Sequence, residues 1–81
     1  MKYKFELQKN IFMYNHNLIC TDDKNTYHAI CESCPTKEET IAFWPEDFRI
    51  PPEELEIFVQ ELKEWATSQG YKYIINSGKG R

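Results

Sequence analysis

The chain has 81 residues, 41% hydrophobic and 15% aromatic, which is enough apolar material for one small core but not for two. Ten Lys and Arg against thirteen Asp and Glu give a net charge of −3, which excludes a basic footprint for nucleic acid or anionic lipid over the whole domain. Three cysteines are an odd number, which argues against a complete disulfide framework.

Alternating side chains predict strand structure at the start of the chain. Residues 3–7 alternate between apolar and charged side chains, the period of a half-buried strand. Residues 11–14 differ, because they are apolar at both alternating positions. The polar triplet at 15–17, which contains His16, is expected to form a turn.

A hairpin and a further strand are predicted next. The turn-forming residues 22–25 separate the segments 18–20 and 26–30, which is typical of two antiparallel strands joined by a short loop. Another strand is expected at 40–44. Pro45 should end it, because proline cannot donate a hydrogen bond to a sheet ladder.

The clearest element is a helix from about Pro52 to Gln69, and residues 46–50 before it are predicted to form a turn or a single short helical turn. Proline at its start and Gly70 after its end are typical of helix boundaries. The apolar residues of this segment recur at helical spacing and predict one stripe that faces the core: Leu55, Phe58, Val59, Leu62, Trp65 and Ala66. Residues 71–75 alternate again and predict a last strand.

Together these elements predict an α+β fold. We expect a small antiparallel β-sheet of four to five strands with one long amphipathic helix packed on one face, in the order βββ(β)αβ. Residues 1–75 should form one compact domain, and residues 76–81 a flexible basic tail. No apolar run resembles a signal peptide or a membrane span, so a cytoplasmic protein is expected. The composition favours residues with AT-rich codons, which suggests a bacterial or phage source.

Cys20, His28, Cys31 and Cys34 are the sharpest candidates for chemistry, because thiolates and imidazoles are the ligands of tetrahedral zinc. Side chains alternate along a strand, however, so no regular hairpin register places Cys20, His28 and Cys31 on one face. We therefore expect no cofactor and reduced cysteines. Two alternatives remain: a zinc-stabilised module that contacts nucleic acid through these ligands and the basic tail, and an enzyme with a thiol nucleophile at Cys31 or Cys34.

Charge is distributed unevenly along the chain. Residues 32–64 carry ten acids and three bases, a net charge of −7, whereas the preceding and following segments carry +1 and +3. Ile57 lies off the core stripe and among carboxylates, as an interface anchor with a polar rim does. Trp44 is expected on the face of the sheet that the helix leaves uncovered. The predicted partner-binding residues are Glu53, Glu56, Ile57, Glu61, Glu64 and Trp44.

These patterns predict a small, non-enzymatic, protein-binding module without catalytic residues. A compact acidic protein can place carboxylates where phosphates would lie, so we expect an inhibitor of a basic, nucleic-acid-binding groove in a nuclease, a polymerase or a toxin. Nucleic acid and membranes are not expected partners. A homodimer through the open face of the sheet is the alternative assembly.

Overall fold

Five strands and one long helix form most of the chain that the computed structural model describes, residues 2–34 and 40–78. Two short 3-10 segments, Pro45–Phe48 and Pro52–Glu54, lie between the fourth strand and the helix. In chain order the elements are β1 (Lys4–Phe12), β2 (Asn15–Thr21), β3 (Thr26–Cys34), β4 (Thr40–Phe43), α1 (Leu55–Ser68) and β5 (Lys72–Ile75).

The five strands form one sheet in chain order, β1-β2-β3-β4-β5. The first three pairs are antiparallel, whereas β5 pairs with β4 in parallel. The parallel pair arises because α1 carries the chain back along the sheet between the two strands. The predicted α+β fold and element order are confirmed, and the sheet is mixed rather than wholly antiparallel.

Helix α1 lays its predicted apolar stripe on one face of the sheet. Phe58, Leu62 and Ala66 are completely buried. Leu55 and Val59 are partly buried and pack against the same core. The sheet contributes the facing layer, which contains Leu18, Cys20, Ala29, Cys31, Ile41 and Phe43.

Aromatic contacts fasten the edge strand β1 to α1. The Tyr3 and Phe58 rings meet edge to face with centroids 5.2 Å apart, and Phe5 stacks on Trp65 at 5.4 Å. Trp65 in turn contacts Tyr71, just before β5, at 5.6 Å. Such ring pairs add to the stabilisation from apolar burial, so β1 is held by α1 as well as by β2.

The β1–β2 hairpin has an irregular register near its end. Gln8 pairs with Asn17 and Phe12 with Asn15, so three residues of β1 lie opposite one residue of β2, which is a β-bulge. The chain turns at residues 13 and 14, where Met13 has a φ of 54°. We name Ile11–Tyr14 the hairpin tip.

The predicted turn at residues 15–17 is wrong, because these residues lie inside β2. His16 is opposite Cys31 in β3 and is 1% exposed. Its ring Nε2 and the Ser33 hydroxyl form a hydrogen bond, which satisfies a polar group that would otherwise be costly to bury. The turn preference of Asn15 and Asn17 is therefore outweighed by the pairing of β2 with β1 on one side and with β3 on the other.

Beyond β5, the structure describes residues 76–78. The backbone N–H of Asn76 donates to the carbonyl of Phe43 at 2.9 Å, and that of Gly78 donates to the Glu46 carboxylate. Residues 79–81 of the predicted flexible tail lie outside the described residues. At the end of α1, Gly70 has a φ of 79°, the left-handed conformation predicted for it.

Candidate functional site

The outward side of the first half of α1 forms a shallow groove of about 550 Å³. It is lined by Gln60 and by four of the six predicted partner-binding residues, which are Glu53, Glu56, Ile57 and Glu61. Ile57 is 50% exposed, although the next residue, Phe58, is completely buried. An apolar side chain therefore stands among carboxylates at the surface, as the helical spacing predicted.

Glu61 lines this groove but is committed to the fold. It is 9% exposed, and its Oε1 accepts a hydrogen bond of 2.9 Å from the backbone N–H of Tyr3. Glu61 was predicted as a partner-binding residue, and the structure places its carboxylate in a buried contact with the backbone of Tyr3. The chain before β1 packs over this part of α1, and the two residues in contact are 58 positions apart, a distance over which helical spacing carries no information.

The remaining carboxylates of this region differ in their partners. Glu54 forms an ion pair with the Lys2 ammonium group. Within the described ranges, Glu53 and Glu56 form no ion pair with any cation, and both are exposed. We name Glu53, Glu56, Ile57 and Gln60 the acidic helix surface, because these side chains line the groove and remain accessible.

The other two predicted binding residues lie elsewhere. Glu64 accepts a hydrogen bond of 3.3 Å from the Gln60 amide and lines a neighbouring groove with Lys63. Trp44 lies between the end of β4 and the 3-10 segment Pro45–Phe48, is partly buried and does not line the groove. The groove therefore does not bring Trp44 together with the predicted acidic residues.

The alternative zinc ligands are separated by the sheet. Cys20 pairs with Tyr27 and Cys31 with His16, a register in which both cysteines face the helix. His28 is opposite Ile19 on the other face and is exposed. Across residues 2–34 and 40–78, no three His, Cys, Asp or Glu side chains converge to hold a metal ion. The side chain of Cys34 lies outside the described residues.

The two described cysteines have the properties of core residues. Burial raises the pKa of Cys31 to about 12, and burial followed by the neighbouring Cys31 raises the pKa of Cys20 further. Neither cysteine forms a disulfide, and both are at most 1% exposed. Because the thiolate is the nucleophile, a thiol that stays protonated at neutral pH is poorly suited to covalent chemistry.

The hairpin tip is a surface feature that the predicted site omitted. Ile11, Phe12, Met13 and Tyr14 are 50%, 69%, 73% and 57% exposed. Positive φ at Met13 is strained for a residue with a long side chain and costs roughly 1–3 kcal/mol. The sequence did contain a signal for this surface. A strand with one buried face alternates apolar and polar residues, whereas residues 11–14 are all apolar, so some of them were expected to lack cover within the core.

No described helix has the length and apolar character needed to cross a membrane. Comparison of the chain with known proteins found no matching family model, no matching curated protein and no matching solved structure.

Proposed function

We propose that this protein is a small, non-enzymatic binding module that places its acidic helix surface in a basic groove of another protein. The observation that carries the proposal is the half-exposed Ile57, which shares a groove with the exposed carboxylates of Glu53 and Glu56. Inhibition is the use that fits best, because a groove filled by this helix is closed to its own anionic ligand.

The two kinds of side chain would contribute differently to binding. Ile57 can be desolvated in a pocket at the centre of the interface, where hot-spot residues concentrate. Glu53 and Glu56 form the rim, where charges mainly accelerate approach and select a partner of opposite sign. The chain as a whole supports this steering, since its net charge is −3.

A groove that binds nucleic acid is the expected target. Such grooves hold Lys and Arg at positions that contact phosphates, and carboxylates on a rigid helix can occupy those positions. Nucleases and polymerases are therefore the partner classes that we propose, in a bacterial or phage setting.

Charge reversal tests the acidic helix surface once a partner has been captured from a bacterial lysate. Glu53→Lys with Glu56→Lys should lower the association rate by about tenfold or more at low salt, and added salt should shrink the difference from the parent protein. The matched control reverses Glu6 and Asp23, which are also exposed but lie on β1 and in the β2–β3 turn. Equal loss in both double variants would reduce the effect to net charge and refute the proposal.

A second pair of variants separates the apolar contact from the charges. Ile57→Ser should accelerate dissociation, because a buried anchor acts mainly on the lifetime of a complex. Ile74→Ser is the control, since Ile74 is 47% exposed and lies on β5. Dissociation that is equally fast in both variants would place the interface away from the groove.

A further inference from the structure

We propose that Lys2 is an internal competitor for the acidic helix surface: it holds the carboxylate of Glu54, which a basic partner takes over on binding. This inference rests on the proposed function and concerns the regulation of that same surface. Its starting point is the ion pair between the Lys2 ammonium group and Glu54. The protein thus already binds a cation at the start of α1, where the proposed partner would supply one.

Glu54 lies next to the groove on α1. It is the last residue before the helix, and its backbone already has the right-handed helical conformation. Residues three positions apart on a helix are neighbours at its surface, so Glu54 lies beside Ile57. Glu53 and Glu56 line the groove, are exposed and form no ion pair with a cation of the described chain. The ion pair with Lys2 therefore withdraws one of three carboxylates near Ile57.

The residue after Lys2 fixes this part of the chain beside α1. The backbone N–H of Tyr3 donates to the Glu61 carboxylate at 2.9 Å, and both residues are buried. The Lys2 ammonium nitrogen lies 5.7 Å from the centre of the Tyr3 ring, within the range of a cation–π contact. Hydrogen bonds from backbone N–H groups lower the pKa of Asp22, and the charge of Lys2 lowers it further. Lys2 is therefore positioned by Tyr3 and faces acidic side chains.

The contacts of Lys2 and Tyr3 differ in how easily they open. The Lys2 and Glu54 side chains are 39% and 24% exposed, and an exposed ion pair adds little to stability because water competes for both charges. The Tyr3–Glu61 hydrogen bond is buried, and breaking it would leave a buried polar group without a partner. A cation that reaches Glu54 can therefore displace Lys2 while the contact between Tyr3 and α1 stays intact.

The need to displace Lys2 selects the chemistry of the partner. An arginine suits this exchange, because its planar guanidinium binds a carboxylate through two parallel hydrogen bonds, whereas an ammonium group acts as a point charge. A groove that carries arginine would contact Glu54 in addition to Glu53 and Glu56, and Lys2 would move into solvent. A weaker cation would leave Lys2 in place and meet only two carboxylates. Lys2 thereby lowers the affinity of the surface for cations that cannot replace it.

Binding of a defined polycation to the full chain tests this competition. The probe is fluorescein-labelled nona-arginine, titrated at low salt and followed by fluorescence anisotropy. Lys2→Gln should bind the probe about fivefold more tightly than the parent protein, the equivalent of roughly 1 kcal/mol. Lys4→Gln is the matched control, because Lys4 is exposed and alternation places it on the face of the sheet away from α1. This control has the same net charge as Lys2→Gln and should stay within about twofold of the parent.

Two double variants separate the release of Glu54 from the change in net charge. Lys2→Gln with Glu54→Gln and Lys2→Gln with Glu6→Gln each lose one base and one acid, so both keep the net charge of the parent protein. The first should lose the tighter binding, because the released carboxylate is gone. The second should keep most of it, since Glu6 is an exposed residue of β1 and Glu54 stays accessible. Backbone amide resonances of residues 53–57 should shift on addition of the probe in the second variant and shift less in the first.

The inference and the proposed function fail in different ways. Equal affinities for Lys2→Gln and Lys4→Gln, or for the two double variants, would mean that net charge explains the binding, which overturns the role of Lys2. Absence of binding to Lys2→Gln overturns it as well, because three accessible carboxylates would then attract no polycation. The proposed function has its own test: an unchanged probe affinity in Glu53→Gln with Glu56→Gln would mean that cations do not bind the acidic helix surface, whatever Lys2 does.

Discussion

Replacing Glu61 with Ala should destabilise the protein strongly, although this residue is not part of the predicted apolar stripe of α1. The substitution removes the carboxylate that accepts the Tyr3 backbone N–H at 2.9 Å and leaves that donor in a residue only 2% exposed. Hydrogen bonds to charged groups contribute roughly 1.5–3 kcal/mol, and a buried donor without an acceptor costs a similar amount. We expect the free energy of unfolding to fall by about 2–3 kcal/mol.

Chemical denaturation measures this change, and a fall of that size should also lower the melting temperature by roughly 10–20 °C in a domain of this length. Two variants give the scale. Glu64→Ala makes the same substitution at an exposed position of the same helix and should stay within about 0.5 kcal/mol of the parent. Glu61→Gln keeps an acceptor oxygen without the charge and should fall between the two.

The ranking of these three variants decides the structural role of Glu61. A Glu61→Ala protein as stable as Glu64→Ala would show that the Tyr3 amide does not depend on the carboxylate. Glu61 would then have no structural role at the start of β1 and would join the accessible carboxylates that line the groove.

Leu62→Ala should lower the free energy of unfolding by roughly 2–5 kcal/mol, because Leu62 is completely buried. Glu56→Ala, at an exposed position of the same helix, should be nearly neutral. Equal denaturation midpoints for the two variants would mean that α1 packs on the sheet through a different face. In reducing buffer, stability should decline as the pH rises above about 9, because the unfolded thiols of Cys20 and Cys31 ionise while the buried thiols, with raised pKa, stay protonated. Between about pH 8 and pH 10 this loss is roughly 2–3 kcal/mol for the pair, and a double Ala variant that shows the same slope would disprove the linkage. At acidic pH the dependence has the opposite sign for Asp22, because hydrogen bonds from the backbone N–H groups of Lys24 and Asn25 lower the pKa of its carboxyl. The stability that Asp22 contributes is fully present above its unfolded pKa and is lost as the pH falls through its folded pKa. Asp22→Ala should therefore make stability depend less steeply on pH in the acidic range.

Local patterns were sufficient to predict most elements of the fold, although not the start of β2. The apolar stripe of α1, the hairpin around residues 22–25 and the left-handed Gly70 all depend on residues within a few positions of one another. The parity of the β2–β3 hairpin likewise predicted that His28 would face away whenever Cys20 and Cys31 share a face, which is the register found. Ile57 was placed correctly at the surface for the same reason, because helical spacing alone removes it from the stripe.

Contacts between distant parts of the chain decided the pairing of β5, the burial of two polar side chains and the exposure of the hairpin tip. Parallel pairing of β5 with β4 leaves no mark on the alternation of either strand, since both pairing modes have a period of two residues. The burial of Glu61 depends on Tyr3, and that of His16 depends on Ser33, and neither partner lies within reach of a periodicity. The exposure of the hairpin tip was also decided by the tertiary structure: Ile11–Tyr14 are apolar, but they lie where β1 turns into β2, and all four side chains are at least 50% exposed there.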